Sequence, residues 1–161
     1  MTSPTDLDLD QYFPYLINRV GAALVATFGA DPLGRYQLSI AMWRALVALS
    51  DNGGQRLVDL SAMTSIDVST LSRMVTRLMR LGLVLRTRSK KSDREVMVKL
   101  TAKGRTLLKR LIPIALGFEA ALVDGIAPGD LAVVKRALHH MHTNMDRFLS
   151  AAESRRSRRR G

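Results

Sequence analysis

Between Asp67 and Leu81 the sequence sets short hydroxyls and arginines against an apolar stripe. Val68, Leu71, Val75 and Leu78 recur at intervals of three and four, the spacing of one helical face. Ser69, Thr70, Ser72, Arg73, Thr76, Arg77 and Arg80 fall outside that stripe. Hydroxyls and guanidinium groups are what base edges and phosphates accept, and an arginine grips guanine through two parallel hydrogen bonds. Asp67 reads differently, as a helix N-cap whose carboxylate satisfies exposed N–H groups. Taken alone, a Ser/Thr/Arg helix face is an ordinary solvated surface, and its meaning depends on what flanks it.

A second concentration of chemistry follows directly. Between Arg86 and Arg110 ten Lys/Arg stand against two acids, Asp93 and Glu95, a net +8. Arg88, Lys90, Lys91 and Arg94 fall in a polar loop, where contact with phosphates is geometrically reasonable. The last eight residues, SRRSRRRG, add five arginines and nothing apolar. That tail is expected to be disordered, and is either a phosphate-binding arm or a solvated end. His139, His140 and His142 invite a metal reading, but no Cys, Asp or Glu is expected near enough to complete a site, and no metal or cofactor is assigned. Met141 and Met145 sit at core spacing.

The elements that hold these residues can be read from periodicity. Phe13, Leu16, Ile17, Val20, Leu24 and Phe28 predict a first helix, closed by Gly29 and Asp31-Pro32. A second runs from Ser39 as cap through Trp43, Leu46 and Leu49 to Asp51-Asn52-Gly53-Gly54. Two short helices follow, Leu57 to Met63 and Asp67 to Leu81. Leu83-Val84-Leu85 and Val96-Met97-Val98 then flank the basic loop as a β-hairpin. A long helix from Thr101 to about Val123 contains Pro113, which should kink it, and a last one starts near Pro128. Its apolar positions are Leu131, Val134, Leu138, Met141, Met145 and Phe148. Helix, helix and hairpin in that order are a winged helix-turn-helix, whose second helix lies in the major groove of duplex DNA.

Composition narrows the class. The 161 residues are 47% hydrophobic but only 5% aromatic, enough for a core and biased toward helix. A formal charge of +11 attracts anionic partners. The absence of cysteine removes disulfides, thiolate metal sites and cysteine catalysis. No Ser/His/Asp arrangement, phosphate-cradling glycine loop or paired carboxylates point to an enzyme. The opening MTSPTDLDLD carries three Asp and no basic residue, unlike a signal peptide, and the apolar run Val20 to Ala30 is too short to cross a bilayer. A cytoplasmic protein that does not engage membranes is expected.

The segment LVDLSAMTSIDVSTLSRMVTRLMRLGLVLR resembles the helix-turn-helix of the MarR (multiple antibiotic resistance) regulators, and SDREVMVKLTAKGR resembles their wing and the start of the next helix. That family's pattern is Asp-x-Arg, five residues, Leu-Thr, two residues, Gly. Arg94, Leu100, Thr101 and Gly104 match it, whereas Ser92 stands at the Asp position with Asp93 displaced by one. The resemblance implies a mostly α fold with a small β-hairpin wing, a winged helix-turn-helix domain on a helical dimerisation base. Residues 1–35 would give an N-terminal dimerisation helix, 36–100 the DNA-binding lobe, 101–152 C-terminal dimerisation helices and 153–161 the basic tail. It further implies a bacterial homodimer that binds a pseudo-palindromic operator in double-stranded DNA and represses transcription until a small, often aromatic and anionic effector enters a cleft between base and lobe. By position, Tyr15, Arg19, Ser39 and Trp43 would face that cleft, with Arg19 either holding a carboxylate or making a surface salt bridge. A constitutive DNA-binding or architectural protein without effector remains the alternative. An RNA-binding winged helix is the weaker one, since single-stranded RNA recognition uses aromatic stacking.

Overall fold

In the computed structural model residues 7–50, 53–88 and 96–158 are described. Their elements run α1 (Phe13–Ala30), α2 (Ile40–Ala48), β1 (Gln55–Arg56), α3 (Leu57–Thr64), α4 (Val68–Arg80), β2 (Val84–Arg88), β3 (Val96–Leu100), α5 (Ala102–Leu122) and α6 (Pro128–Arg158), with a 3-10 turn at Gly34–Tyr36. Local chemistry sets the boundaries. Ser39 caps α2 by accepting from the Met42 N–H at 3.2 Å. Between α3 and α4 the chain turns through Ser65 in the left-handed region, and the Ser61 hydroxyl donates to the Ile66 carbonyl across that turn. At the end of α4, Gly82 takes φ +72°, so the Leu83 N–H reaches the Leu78 carbonyl at 3.0 Å and the Gly82 N–H the Met79 carbonyl at 2.9 Å. That paired closure stops the helix and turns the chain straight into β2.

The strands form an antiparallel sheet in the order β1-β3-β2. The hairpin strands extend past the apolar triplets, with Arg86 opposite Val98 and Arg88 opposite Val96, so both arginines belong to β2 rather than to a loop. β1 was not anticipated. It is two polar residues, too short to show alternation, pairing Gln55 with Val98 and Arg56 with Met97.

The described residues up to Phe118 form one compact unit and those from Glu119 another. The first unit's core joins Leu46 of α2, Leu60 of α3, Leu71, Val75 and Leu78 of α4, Val98 of β3 and Leu111 of α5, all fully buried. Phe28 of α1, Leu33, and Leu107 and Leu108 of α5 belong to the same core, so α1 and the start of α5 pack into the lobe as well as carrying other apolar faces. The α4 stripe is one residue shorter than its spacing suggested: Val68 is 43% exposed, because it sits in the first turn, ahead of the residues that face the core. α5 runs through Pro113 without ending, although proline supplies no N–H to the turn before it.

In the second unit α6 is a single helix of 31 residues. Val134, Leu138, Met145 and Phe148 along it are all exposed. The helix continues past the boundary expected at residue 153, to Arg158. Alanine and arginine favour helix, and no glycine or proline interrupts the chain between Gly129 and Gly161. Residues 159–161 lie outside the described part. His142 meets Asp146 at 3.1 Å, so one acid lies within a turn of the histidines. Among the described residues no group of three His, Cys, Asp or Glu is placed to hold a metal, and no helix is long and apolar enough to cross a membrane.

Candidate nucleic-acid interface

α4 presents its polar residues on the side away from the core. At about 100° per residue, Ser69, Arg73, Thr76 and Arg80 fall within an arc of roughly 60°, opposite Leu71, Val75 and Leu78. All four are exposed. The N-terminus of this face is organised by Asp67, whose Oδ1 accepts from the Ser69 hydroxyl at 2.6 Å and from the Thr70 N–H at 2.8 Å. Those hydrogen bonds, Ser69's first, hold the Asp67 carboxyl well below the usual carboxylate range. Arg73 donates to the Thr70 hydroxyl at 3.1 Å, which orders its guanidinium along the helix.

Three of the expected contact residues stand apart from this arc, and the first, Thr70, is half-buried with its hydroxyl accepting from Arg73. Arg77 lies on the flank and donates to the Gln37 carbonyl at 3.2 Å, tying α4 to the turn before α2. Ser72 is half-buried on the other flank, and its hydroxyl lies 3.4 Å from the guanidinium of Arg86. Arg86 was left among the loop cations by sequence reasoning. The strand register brings it to α4, and only the fold shows this. Arg88 ends β2 and is exposed, whereas Lys90, Lys91 and Arg94 lie outside the described residues.

The motif Leu100-Thr101-x-x-Gly104 works behind this surface and not on it. The Thr101 hydroxyl accepts from the Gly104 N–H at 3.0 Å, capping α5, and donates to the Gly82 carbonyl at 2.7 Å. Thr101 N–H reaches the Leu83 carbonyl at 3.0 Å. At Gly104 the backbone of Leu83 comes so close that an added Cβ would stand 2.1 Å from its carbonyl oxygen. Lys103 completes the joint by donating to the Leu81 carbonyl at 2.8 Å, at the exposed end of α4. One tight knuckle therefore fixes α4, the start of β2 and α5 to each other.

Beside this knuckle lies an open cavity of about 400 Å³. Arg35, Tyr36 and Gln37 line one wall, Leu81 and Leu83 another, and Lys103, Thr106, Leu107 and Arg110 of α5 the third. Among the described residues three cations and an aromatic ring line it, and no acid does. None of Tyr15, Arg19, Ser39 and Trp43 is among the lining residues. Tyr15 and Arg19 are exposed on α1, with Arg19 3.8 Å from Asp10. The Ser39 hydroxyl serves as the α2 cap. Trp43 is half-buried, edge-on to Phe28 at 5.8 Å, and borders a second hollow with Arg44 and Met63.

Comparison with known proteins points the same way as this geometry. The MarR family model matches residues 38–96, from the start of α2 to β3. The HTH-type transcriptional repressor Rv2887 of Mycobacterium tuberculosis (strain ATCC 25618 / H37Rv) is 29% identical over 129 residues, which are 79% of this chain and 91% of that protein. A MarR-family transcriptional regulator from Silicibacter pomeroyi superposes with a TM-score of 0.74 at 30% identity, over 89% of this chain and 96% of the other. BpsR of Bordetella bronchiseptica, whose DNA binding is regulated by 6-hydroxynicotinic acid, superposes at 0.76 with 27% identity, over 85% and 97% of the two chains. Because this likeness spans nearly the full length of the relatives as well as the helix pair itself, the protein belongs to the MarR family and is a regulator of transcription, not an enzyme.

Proposed function

We propose that the protein is a homodimeric repressor that reads a pseudo-palindromic operator with α4 and is released by a small aromatic anion. The observation that carries DNA reading is the α4 arc of Ser69, Arg73, Thr76 and Arg80, exposed and adjoined by Arg86. Arg73 and Arg80 are the residues able to take base edges, and Ser69 and Thr76 to take bases or backbone. Arg88 and the basic residues after it would supply phosphate contacts that set register without carrying sequence information.

The cavity beside the knuckle supports an effector. Lys103 and Arg110 could hold a carboxylate while Tyr36, Leu81, Leu83 and Leu107 enclose an aromatic ring. Regulation of BpsR by an aromatic acid favours the same chemical class. One observation favours the constitutive alternative: Lys103 already donates to Leu81 and Arg35 is paired with Asp31, so both cations have structural work without a ligand. Fluorescence anisotropy with labelled operator decides between them. An aromatic carboxylate that weakens operator binding of the wild type, and does so far less for Arg110→Ala, supports the effector reading. An operator affinity unmoved by a panel of aromatic acids and their thioesters supports the constitutive one.

A further inference from the structure

Val68 is the one residue of the α4 stripe that the core leaves exposed. It stands 43% exposed in the first turn, whereas Leu71, Val75 and Leu78 are fully buried. Val68, Ser72 and Thr76 follow one another at steps of four and form a single row along the helix. At about 100° per residue that row climbs from Val68 to the edge of the polar arc at Thr76, and Val68 itself stands about 100° from Ser69. Valine is among the weaker helix formers, and the cap of α4 is already supplied by Asp67. The fold therefore makes little use of a β-branched side chain at this position.

The chemistry around it indicates what such a side chain would meet. In the major groove guanine is gripped by arginine, adenine by asparagine or glutamine, and thymine is marked by its C5 methyl group. α4 contains no Asn or Gln. Two hydroxyl hydrogens of the arc are already given to the protein: Ser69 donates to Asp67 at 2.6 Å, and Thr76 to the Ser72 carbonyl at 3.0 Å. The donors left on the arc are the guanidinium groups of Arg73 and Arg80, which suit guanine. A hydroxyl oxygen accepts from adenine and cytosine alike, so it does not separate them. Recognition of an A·T pair then falls to an apolar contact with the thymine methyl. Met79, 39% exposed on the same flank, lies three turns away at the far end of the helix. Val68 is in the first turn, the part of a groove-bound helix that reaches base edges.

We infer that Val68 packs against a thymine methyl group in each half-site and makes one A·T pair per half-site a determinant of specificity. The inference rests on the operator reading proposed above and adds a base to it. Burying one methyl group against apolar surface corresponds to about fourfold in affinity per half-site, hence about fifteenfold for the two half-sites of a dimer's operator. The contact carries no charge, so it leaves the salt dependence of binding unaltered.

The test uses the full chain and a duplex selected with it from a random pool. In that duplex thymines are replaced, one symmetric pair at a time, by deoxyuridine, which lacks only the methyl group. Fluorescence anisotropy should show the wild type losing about fifteenfold at one such pair. Val68→Ala should bind the parent duplex more weakly by about the same factor, with an unchanged salt slope, and should be indifferent to that replacement. Val68→Ile, which keeps the apolar branch, should retain the sensitivity. Alanine favours helix and the site is exposed, so Val68→Ala should unfold as the wild type does. A wild type insensitive to deoxyuridine at every position would overturn the inference and leave operator reading standing. So would a Val68→Ala protein as sensitive as the wild type, because the methyl would then meet another residue. Equal weakening of Val68→Ala on selected and unselected DNA would overturn it too, by assigning Val68 to the fold. A pool that yields no enriched sequence would remove the operator reading itself, and this inference with it.

Discussion

Asp67 shows how little sequence is needed to place a side chain when its role is local. Its position before an apolar stripe marked it as a cap, and it bonds the Thr70 N–H at 2.8 Å. The Ser69 hydroxyl and that N–H stabilise the carboxylate form, so its folded pKa lies below the unfolded value of about 4. Its contribution to stability is therefore complete above about pH 4 and is lost as pH falls toward the folded value. Urea titrations from pH 5 down to pH 2 should show a shallower acid loss for Asp67→Asn, which keeps an acceptor at the cap but cannot titrate. Parallel curves would mean that the carboxylate is not engaged. The proposed function makes Arg73 a determinant of specificity. Selecting operators from a random pool with Arg73→Ala should relax the preference at one or two positions per half-site, each at about 1–3 kcal/mol. An unchanged consensus would place Arg73 on phosphate.

At the scale of elements, the knuckle around Gly104 is the strictest constraint in the lobe. A methyl group there meets the Leu83 carbonyl oxygen, which is backbone and has no rotamer to give. Gly104→Ala should cost about 1–3 kcal/mol or more in thermal or urea unfolding, with operator affinity falling because α4 and the wing root move together. Native-like stability would show that β2 and α5 separate more easily than their packing suggests. The helices were legible from sequence because each carries its own period, and the hairpin because its apolar triplets flank a basic loop. β1 was not, because two polar residues have no pattern of their own. The cavity was not, because its lining joins 35–37, 81–83 and 103–110, segments that only the folded chain brings together. A hydroxyl before a helix is as useful to the helix as to a ligand, and Ser39 is used as the cap of α2.

For the whole molecule, the unburied residues are the informative ones. Phe13, Ile17 and Val20 of α1, Ile114 and Leu116 of α5, and Val134 and Phe148 of α6 are all at least 43% exposed, more than a lone chain normally leaves in water. If a second copy covers them, the operator should carry the same two-fold symmetry, with half-sites about one helical turn apart. Hydroxyl-radical footprinting should show two symmetric protected regions, and a single asymmetric one would contradict the dimeric reading. The charge of +11 also predicts steep salt dependence, so operator affinities are comparable only at a stated ionic strength.

The knuckle has a consequence for engineering. The residues that make this chain recognisable, Leu100, Thr101 and Gly104, are mechanical parts of a hinge pin, whereas Ser69, Arg73, Thr76 and Arg80 take no part in it. On the proposed function, address and chassis are thus separate. A library that randomises those four positions while leaving 81–83 and 100–104 untouched should yield folded proteins with new operators, and the protein can be retargeted as a bit is changed in a drill.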